Sequence, residues 1–416
     1  MRWLEYIVFL ALVVGLARPV GLYLARVFER KPTFLDPALR PIESLLYRLW
    51  GVRSDQEMSA GVYTLCFLLF SAVGTAGLFL LLLAQRWLPG GPADRYLTTP
   101  MTPDLAANTA ISFSTTTTWQ AYGGETTLRY LAQLFGLVSQ NFLAGAAGLA
   151  VGIAFIRGFA RERSATVGNF WVDLVRALLW VLLPLTLVGS LILIGQGVPL
   201  NLAPYTEVHT LEGGVQTIAR GPVTALEFIK NLGTNGGGFF NANGAHPYEN
   251  PTPLVNFLGL LAIAVLPASL TITFGHIAGR PRAGWVLLAV MVVLFVGGLA
   301  VCDFAEAAPP RLSDLHVSGA NMVGEGGAFR HRRLGARGGG HVERSHRFVQ
   351  LDARLLPACW RAGAPRKHAA GRGRLRRSGN RLAEHDHDRA DCRVPGWSHD
   401  RPHAGVPREE NHRCGG

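Results

Sequence analysis

The chain has 416 residues, 49% of them hydrophobic, and a formal net charge of +12. The charge is uneven: 20 of the 40 Lys and Arg residues, but only 10 of the 28 Asp and Glu residues, lie from Glu325 onward. A strongly basic chain normally indicates a nucleic-acid or anionic-surface partner, but here that inference applies only from Glu325 onward, because the long apolar runs all lie before it. The five cysteines form no CxxC pair, which excludes a zinc or disulfide framework.

Six apolar runs are long enough to cross the hydrocarbon core of a membrane, which takes about 20 residues. They are residues 4–28, 61–88, 128–156, 170–195, 254–276 and 284–303. The first run is too long for the apolar part of a signal peptide and no small-residue cleavage site follows it, so we interpret it as a retained span. The sequence therefore predicts an all-α polytopic membrane protein.

Basic residues in three loops orient these spans. They follow the first span (Arg26, Arg30, Lys31), the third span (Arg157, Arg161, Arg163) and the fifth span (Arg280, Arg282). Loops rich in Lys and Arg stay in the cytoplasm. The pattern predicts that the N-terminus faces outward and that residues 89–127 and 196–253 begin on the outer side.

These two outer segments contain similar stretches. Residues 104–120 read DLAANTAISFSTTTTWQ and residues 222–243 read PVTALEFIKNLGTNGGGFFNAN. Each combines a helical stretch about half a span long with a small, polar loop, and a full span follows. The pattern of span, half-helix, polar loop and span occurs twice, and such internal repeats indicate a transport site between them.

The polar loops have the composition of an ion filter. Non-helical backbone at membrane depth is tolerated where it lines a water-filled path or binds an ion. Glycine lets carbonyl groups turn toward an axis, threonine adds a hydroxyl oxygen, and rings of such oxygens replace the hydration shell of a monovalent cation. We predict that GTNGGG supplies filter carbonyls and that Phe239 and Phe240 anchor the loop. The residues alone leave open an extracellular glycine-rich turn and a plain threonine-rich loop, whereas a phosphate-binding loop is disfavoured because no Lys-Ser or Lys-Thr pair follows.

Several polar residues receive structural interpretations. Glu125 and Glu249 follow the two loops; we interpret them as solvated carboxylates, the alternative being that they concentrate cations at the mouth. Asp173 and Arg176 are three residues apart, so we expect them to pair on one helix face. His246 receives no role. The sequence contains no P-type phosphorylation motif and no Walker A motif, so an energy source must lie in another chain or in an ion gradient.

Five stretches point to one family: LARPVG near Ala17, NTAISFSTTTTWQAYGGETTLRY at 108–130, QNFL at 140–143, NFWVDLVRALLW at 169–180 and LGTNGGGFFNANGAHPYENPTPLVNFL at 232–258. They resemble the potassium-binding A subunit of the bacterial Kdp potassium-importing P-type ATPase. The resemblance covers about residues 1–324. It implies four repeats of span, pore helix, filter loop and span, as in potassium channels, of which this chain contains two.

The resemblance also implies a function and a set of site residues. The A subunit binds extracellular K⁺ and passes it to the pump, a separate B subunit hydrolyses ATP, small C and F subunits complete the complex, and no covalent cofactor or nucleic acid is involved. The location implied is the bacterial inner membrane. The family usually reads TNTNWQ where this chain reads TTTTWQ, so threonines replace asparagines at 116 and 118. The implied K⁺-binding residues are Thr115, Thr116, Thr117, Thr118, Gln120, Thr234, Asn235, Gly236, Gly237, Gly238 and Asn243.

The predicted organisation has five parts: residues 1–60 as the first span and cytoplasmic loop, 61–165 as the first pore repeat, 166–303 as the second pore repeat with the following span, 304–324 as an extracellular segment, and 325–416 as a disordered basic tail. The competing functional class is a gradient-driven potassium transporter or channel subunit of the Trk/Ktr type. That class needs no ATPase partner, and the GTNGGGFFNAN stretch favours the Kdp class.

The basic tail allows four interpretations: it binds nucleic acid, it binds anionic lipid, it is disordered, or it is out of frame. Back-translation with one base dropped lets residues 395–412 read LAGLMIGRTPEYLGKKI and residues 326–348 read KEVRFGIADSALAAAVTSNGHIDSF. Both strings resemble the family's next segments, and the second contains the SNG of a third filter. We therefore predict a one-base frameshift near Gly324 and Glu325, and a product that does not transport potassium as written because half of the filter walls are missing.

Overall fold

The computed structural model describes residues 2–89, 91–161, 164–240 and 243–307. Six helices in this part are long and apolar enough to cross a membrane: Trp3–Phe28, Ala60–Trp87, Ala132–Ala160, Phe170–Gly195, Pro253–Ile277 and Pro281–Asp303. They match the six predicted spans, so the prediction of a polytopic helical membrane protein is confirmed. The predicted basic tail (325–416) lies outside the described residues, as does most of the predicted segment 304–324.

The described residues form eleven α-helices. In chain order they are α1 (Arg2–Phe28), α2 (Asp36–Trp50), α3 (Ala60–Ala84), α4 (Pro103–Ser114), α5 (Gly124–Thr127), α6 (Ser139–Ala160), α7 (Phe170–Arg176), α8 (Leu183–Gly195), α9 (Val223–Leu232), α10 (Pro253–Ile277) and α11 (Pro281–Ala307). π-helical turns at Ala132–Val138 and Ala177–Leu182 lead into α6 and α8, and single 3₁₀ turns lie at Gln85–Trp87 and Asp94–Tyr96.

Polar caps fix where several spans begin. The hydroxyl of Ser59 accepts the Val62 amide at the start of α3, and Thr252 accepts the Val255 amide at the start of α10. Asn169 accepts two amides at the start of α7. Such caps satisfy amides that have no partner within the helix. The span boundaries are therefore encoded by short polar motifs beside the apolar runs.

Two small antiparallel sheets lie in the connections between helices of the described residues. Strands β1 (Met58–Ser59) and β2 (Thr166–Gly168) pair with Met58 opposite Gly168. Strands β3 (Thr206–His209) and β4 (Val215–Ile218) form a hairpin with Thr206 opposite Ile218. The sequence analysis did not predict these strands or helix α2, because none of them belongs to an apolar run of membrane-spanning length.

The first span packs closely on the fifth. A Cβ atom at Gly21 in α1 would lie 2.7 Å from the Ser269 carbonyl oxygen, so only glycine allows this approach. The Thr273 hydroxyl donates a hydrogen bond to the Gly21 carbonyl oxygen at 2.9 Å. Small residues at such crossings let membrane helices gain van der Waals contact where no hydrophobic driving force operates.

The expected pairing of Asp173 with Arg176 is wrong. The Asp173 carboxylate accepts two hydrogen bonds from Arg157, at 2.5 and 2.9 Å, and Arg176 pairs with Glu43 of α2 at 2.8 Å. All four side chains are buried. A two-pronged guanidinium–carboxylate contact from another helix is stronger than a pair along one helix face, and tertiary packing supplies it here.

Candidate ion-binding site

Two half-helices aim their carboxyl ends at the two predicted filter loops. Helix α4 ends at Ser114, directly before Thr115, and α9 ends at Leu232, directly before Gly233. The predicted half-span helices are thereby confirmed. The carboxyl end of a helix carries partial negative charge, which favours a cation in the loop that follows it. We call residues 115–120 the first filter loop and residues 233–238 the second filter loop.

The two loops begin with the same backbone hydrogen bonds, 118 residues apart in the sequence. The Thr115 amide donates to the Ile111 carbonyl at 3.0 Å, and the Gly233 amide donates to the Ile229 carbonyl at 2.8 Å. Each bond closes the last turn of its half-helix. The internal repeat read from the sequence is therefore also a repeat of backbone geometry.

The next bonds repeat with the same spacing. In the first loop the amides of Thr117 and Thr118 share the Ser112 carbonyl, at 3.0 and 2.9 Å. In the second loop two amides share the Lys230 carbonyl, at 2.9 Å from Asn235 and 3.1 Å from Gly236. These bonds pin the amides to the half-helix and leave the loop carbonyl groups available for other partners.

Both loops have positive φ angles at the same two positions, and the second loop has a further one of 79° at Gly237. The φ angle is 60° at Thr116 and 51° at Thr118, and it is 55° at Thr234 and 104° at Gly236. A β-branched residue with positive φ is an outlier that costs on the order of 1–3 kcal/mol and persists where the surroundings enforce it, most often at functional sites. Three such threonines in two short loops indicate a backbone selected for its carbonyl directions.

The two loops contact each other directly. The Thr118 hydroxyl donates to the Asn235 carbonyl oxygen at 2.7 Å, and the Gly238 amide donates to Gln120 Oε1 at 2.9 Å. Gln120 Nε2 also donates to the Tyr122 hydroxyl at 3.3 Å. We call this set of contacts the seam. It brings the two predicted filters together, although they lie more than a hundred residues apart in the chain.

Other predicted site residues support the loops through their own hydrogen bonds. Asn243 Oδ1 accepts the Gly237 amide at 2.8 Å. The Thr115 hydroxyl donates to the Ile111 carbonyl at 2.9 Å, and the Thr116 hydroxyl donates to the Thr115 carbonyl at 2.7 Å. K⁺ contacts of the eleven predicted residues remain a prediction, and these bonds describe how the loops hold their shape.

Phe239 and Phe240 are buried directly after the second filter loop. The Phe239 ring lies 6.2 Å from that of Tyr130, and the Phe240 ring stacks on the His246 imidazole at 3.7 Å. A Cβ atom at Gly124 would lie 2.1 Å from the Phe239 carbonyl oxygen, so α5 also contacts this segment. The two aromatic residues pack as the sequence analysis predicted.

His246 packs against Phe240, just after the second filter loop, a role that the sequence analysis did not assign. Its Nδ1 atom accepts the Tyr248 amide at 3.1 Å, which requires this nitrogen to be unprotonated. Burial lowers the pKa of His246 from its ordinary value of 6.5, and the negative charge of Glu249 opposes that shift. The neutral imidazole is therefore the form that fits the fold.

The interpretation of Glu249 as a solvated carboxylate is wrong. Its side chain is buried and accepts the amides of Phe240 at 3.2 Å and Gly244 at 3.0 Å. The sequence could not show this, because the burial depends on packing between the second half-helix and the loop after the filter. Glu125 is half-buried, its Oε2 atom has no hydrogen-bond partner among the described residues, and burial and nearby Glu249 raise its pKa.

Sequence reasoning also missed two charged residues on α9. Glu227 and Lys230 are buried, and the Lys230 ammonium lies 2.5 Å from Glu227 and 3.7 Å from Glu249. The one available indication was their spacing of three residues on a short helix, which places both on one face. That spacing also occurs on solvated helix faces, so it does not distinguish a buried pair from a solvated one.

The chain matches a family of transport proteins over most of the described residues. The family model for the potassium-transporting ATPase A subunit matches residues 7–336. A potassium-transporting ATPase potassium-binding subunit from Methylorubrum extorquens is 51% identical over 324 residues, which are 78% of this chain and 56% of the relative. The subunit from Bradyrhizobium diazoefficiens is 50% identical, over 78% of this chain and 57% of the relative, and that from Acidobacterium capsulatum is 47% identical, over 74% and 55%. The chain spans about half the length of these relatives.

Proposed function

The chain belongs to the family of potassium-transporting ATPase A subunits, and from this premise we propose that it binds K⁺ at its two filter loops as part of an ATP-driven potassium import complex. One observation carries the proposal: two loops 118 residues apart share the same amide bonds and the same left-handed positions, and they meet at the seam. Backbone carbonyl rings of this kind select K⁺.

K⁺ is the transported substrate, and the proposed ligands are oxygens of the two loops. The backbone of residues 115–118 and 234–238 would supply carbonyl groups, while Gln120 and Asn243 hold the second loop through the Gly238 and Gly237 amides. The carboxyl ends of α4 and α9 add favourable charge for a cation. These oxygens would replace the hydration shell of the ion.

We propose that ATP is hydrolysed by a partner B subunit and that small C and F subunits complete the complex. This chain contains no P-type phosphorylation motif and no Walker A motif, and the relatives are named as subunits of an ATPase.

The proposed location is the bacterial inner membrane, with the N-terminus outside, since the basic loops after the first, third and fifth spans would then face the cytoplasm. The family match favours this function over a Trk/Ktr-type transporter.

We further propose that the reading frame shifts near Glu325 and that the 416-residue product does not transport potassium. The alignments to two of the relatives cover 324 residues, the length of chain that precedes Glu325, while the family model continues to residue 336. Two repeats alone leave polar filter backbone without the neighbours that membrane depth requires. Sequencing of codons 320–330 from the source genome locates the extra base.

A growth experiment tests the function. The 416-codon gene and a version with one base removed at the proposed site are each co-expressed with the B, C and F subunits in a host lacking its own potassium importers. We expect the frame-restored gene to allow growth at limiting K⁺ and the 416-codon gene to fail. Growth with the 416-codon gene would contradict the frameshift proposal, and growth by neither gene, with both proteins present in the membrane, would contradict the import function.

A further inference from the structure

A buried ion pair lies behind the second filter loop. The Lys230 ammonium lies between the carboxylates of Glu227, at 2.5 Å, and Glu249, at 3.7 Å. All three residues are at most 3% exposed. Burying charged groups carries a desolvation penalty that the pair's own attraction often only repays, so a buried pair is weak support for a purely stabilising role.

Lys230 and Glu249 also hold the two ends of the loop. The Lys230 carbonyl accepts the amides at the start of the second filter loop, Asn235 and Gly236. The Glu249 carboxylate accepts the Phe240 and Gly244 amides just after it. The ion pair therefore connects the residue whose backbone carbonyl holds the start of the loop to the carboxylate that holds the segment after it.

Among the described residues, the first filter loop has no equivalent ion pair. The positions 118 residues before Glu227 and Lys230 are Thr109 and Ser112, both neutral. The Ser112 hydroxyl has no hydrogen-bond partner among the described residues, and the Thr109 hydroxyl donates to the Leu105 carbonyl of its own helix. The shared backbone pattern thus has ionic support in one repeat and neutral support in the other.

We propose that Lys230 and Glu249 are positioning residues that preset the second filter loop for K⁺ before the ion arrives. The inference rests on the proposed function, because it assigns the preset geometry to a potassium site. With both ends of the loop fixed to a buried ion pair, the second loop keeps its shape in Na⁺ as well as in K⁺. The first loop, which lacks the pair, gains order when K⁺ binds.

The test is amide hydrogen exchange, resolved to single residues, on the full chain in lipid nanodiscs in NaCl and in KCl. The variants are Glu249→Gln, which keeps shape and loses charge, and Glu249→Asp, which keeps charge and is one methylene shorter. We expect the Phe240 and Gly244 amides to exchange at least about tenfold faster in both variants, the factor for losing a hydrogen bond to a charged group. Glu125→Gln is the matched control, because that carboxylate accepts neither amide.

The first filter loop and the spans provide internal references. Amides of Thr117 and Thr118 should exchange as in the unmodified chain, and those of α1 should stay protected, which shows that the fold is intact. Unchanged Phe240 and Gly244 amides in both variants, or equal loosening of both filter loops, would overturn the proposal. If the α1 amides of Glu249→Gln exchange faster, that variant has lost its fold, and the same criteria are applied to Glu249→Asp.

The ion dependence separates this inference from the proposed function. If both hold, KCl slows exchange of the first loop more than of the second in the unmodified chain, and the Glu249 variants make the second loop K⁺-dependent as well. If KCl has no effect on any variant while the Glu249 variants loosen the second loop, the result supports the positioning role of Lys230 and Glu249 and contradicts K⁺ binding by this chain. A second loop that orders only in KCl in the unmodified chain would overturn the presetting role.

Discussion

The two filter loops have the same backbone hydrogen bonds and differ in their exposure and in the side chains that pack around them. Thr115, Thr117 and Trp119 of the first loop are exposed, Trp119 to 61%, whereas residues 235–238 of the second loop are buried. The first loop is supported by neutral side chains, and the second by a buried lysine between two carboxylates. The same backbone hydrogen bonds therefore occur with two different kinds of support.

The difference follows from what each loop must pack against. Residues 236–238 are glycines, and a Cβ atom at Gly238 would lie 2.3 Å from Glu249 Oε1, so a side chain there would displace the buried carboxylate. The corresponding residue of the first loop is Gln120, whose side chain reaches across to the Gly238 amide. Glycine allows close approach in one loop, and a long polar side chain fills the gap from the other.

The largest expected effect comes from a side chain added at Gly124, which would crowd the backbone directly after the second filter loop. In Gly124→Ala the new methyl group would lie 2.1 Å from the Phe239 carbonyl oxygen, and backbone cannot move away as a side chain can. We expect a loss of about 3 kcal/mol in the free energy of unfolding, measured by denaturant titration in micelles. Gly148→Ala is the control, since nothing lies within 4 Å of a Cβ atom there. Equal effects of both substitutions would contradict the close contact.

A smaller effect is expected from breaking the seam. Gln120→Leu keeps the side-chain volume but leaves the buried Gly238 amide without its acceptor, which costs about 1–3 kcal/mol. Exchange of the Gly238 amide should accelerate accordingly. Gln140→Leu is the matched control, because Gln140 donates to Ser114 in the first repeat and does not contact the second loop's amides. A Gly238 amide that exchanges equally fast in both variants would show that the seam does not hold the second loop.

Relieving strain in the first loop should stabilise it. Thr116 has a φ angle of 60°, where asparagine is tolerated better than a β-branched residue. We expect Thr116→Asn, which restores the family's usual residue at this position, to raise the thermal midpoint and to stabilise the chain by about 1 kcal/mol. Thr117→Asn serves as the control because Thr117 is not among the residues with positive φ. A lower midpoint for Thr116→Asn would argue that the threonine methyl group is needed.

The smallest expected effect is a pH dependence confined to the segment that follows the second filter loop. His246 has a pKa below its ordinary 6.5 in the folded state because of burial. Its neutral form therefore contributes stability that is present above pH 6.5 and is lost as the pH falls through the lowered value. The Tyr248 amide, which donates to His246 Nδ1, should exchange faster at pH 5 than at pH 7 after correction for the intrinsic rate. His246→Phe, which keeps an aromatic ring against Phe240, should abolish the difference, and a persistent difference in that variant would assign it to another group.

Much of the fold could be predicted because the signals are local. Six long apolar runs specify six spans, and two half-length helical stretches before threonine and glycine loops specify the filter repeats. The errors concern charged residues. Asp173 and Arg176 pair with side chains from other helices, and Glu249 is buried rather than solvated. A single sequence shows which groups are charged, and tertiary packing decides which of them meet.

The sequence by itself determined the membrane class, the repeat and the position of the two loops. Span length, the need of backbone groups for hydrogen bonds in lipid, and the conformations open to glycine all act on short stretches of chain. The tertiary structure decided that the loops touch through Thr118 and Gln120, and that Lys230 and Glu249 lie behind one loop alone. Those contacts join residues up to 118 positions apart or depend on burial. No local pattern contains the distance between such groups or the loss of water around them.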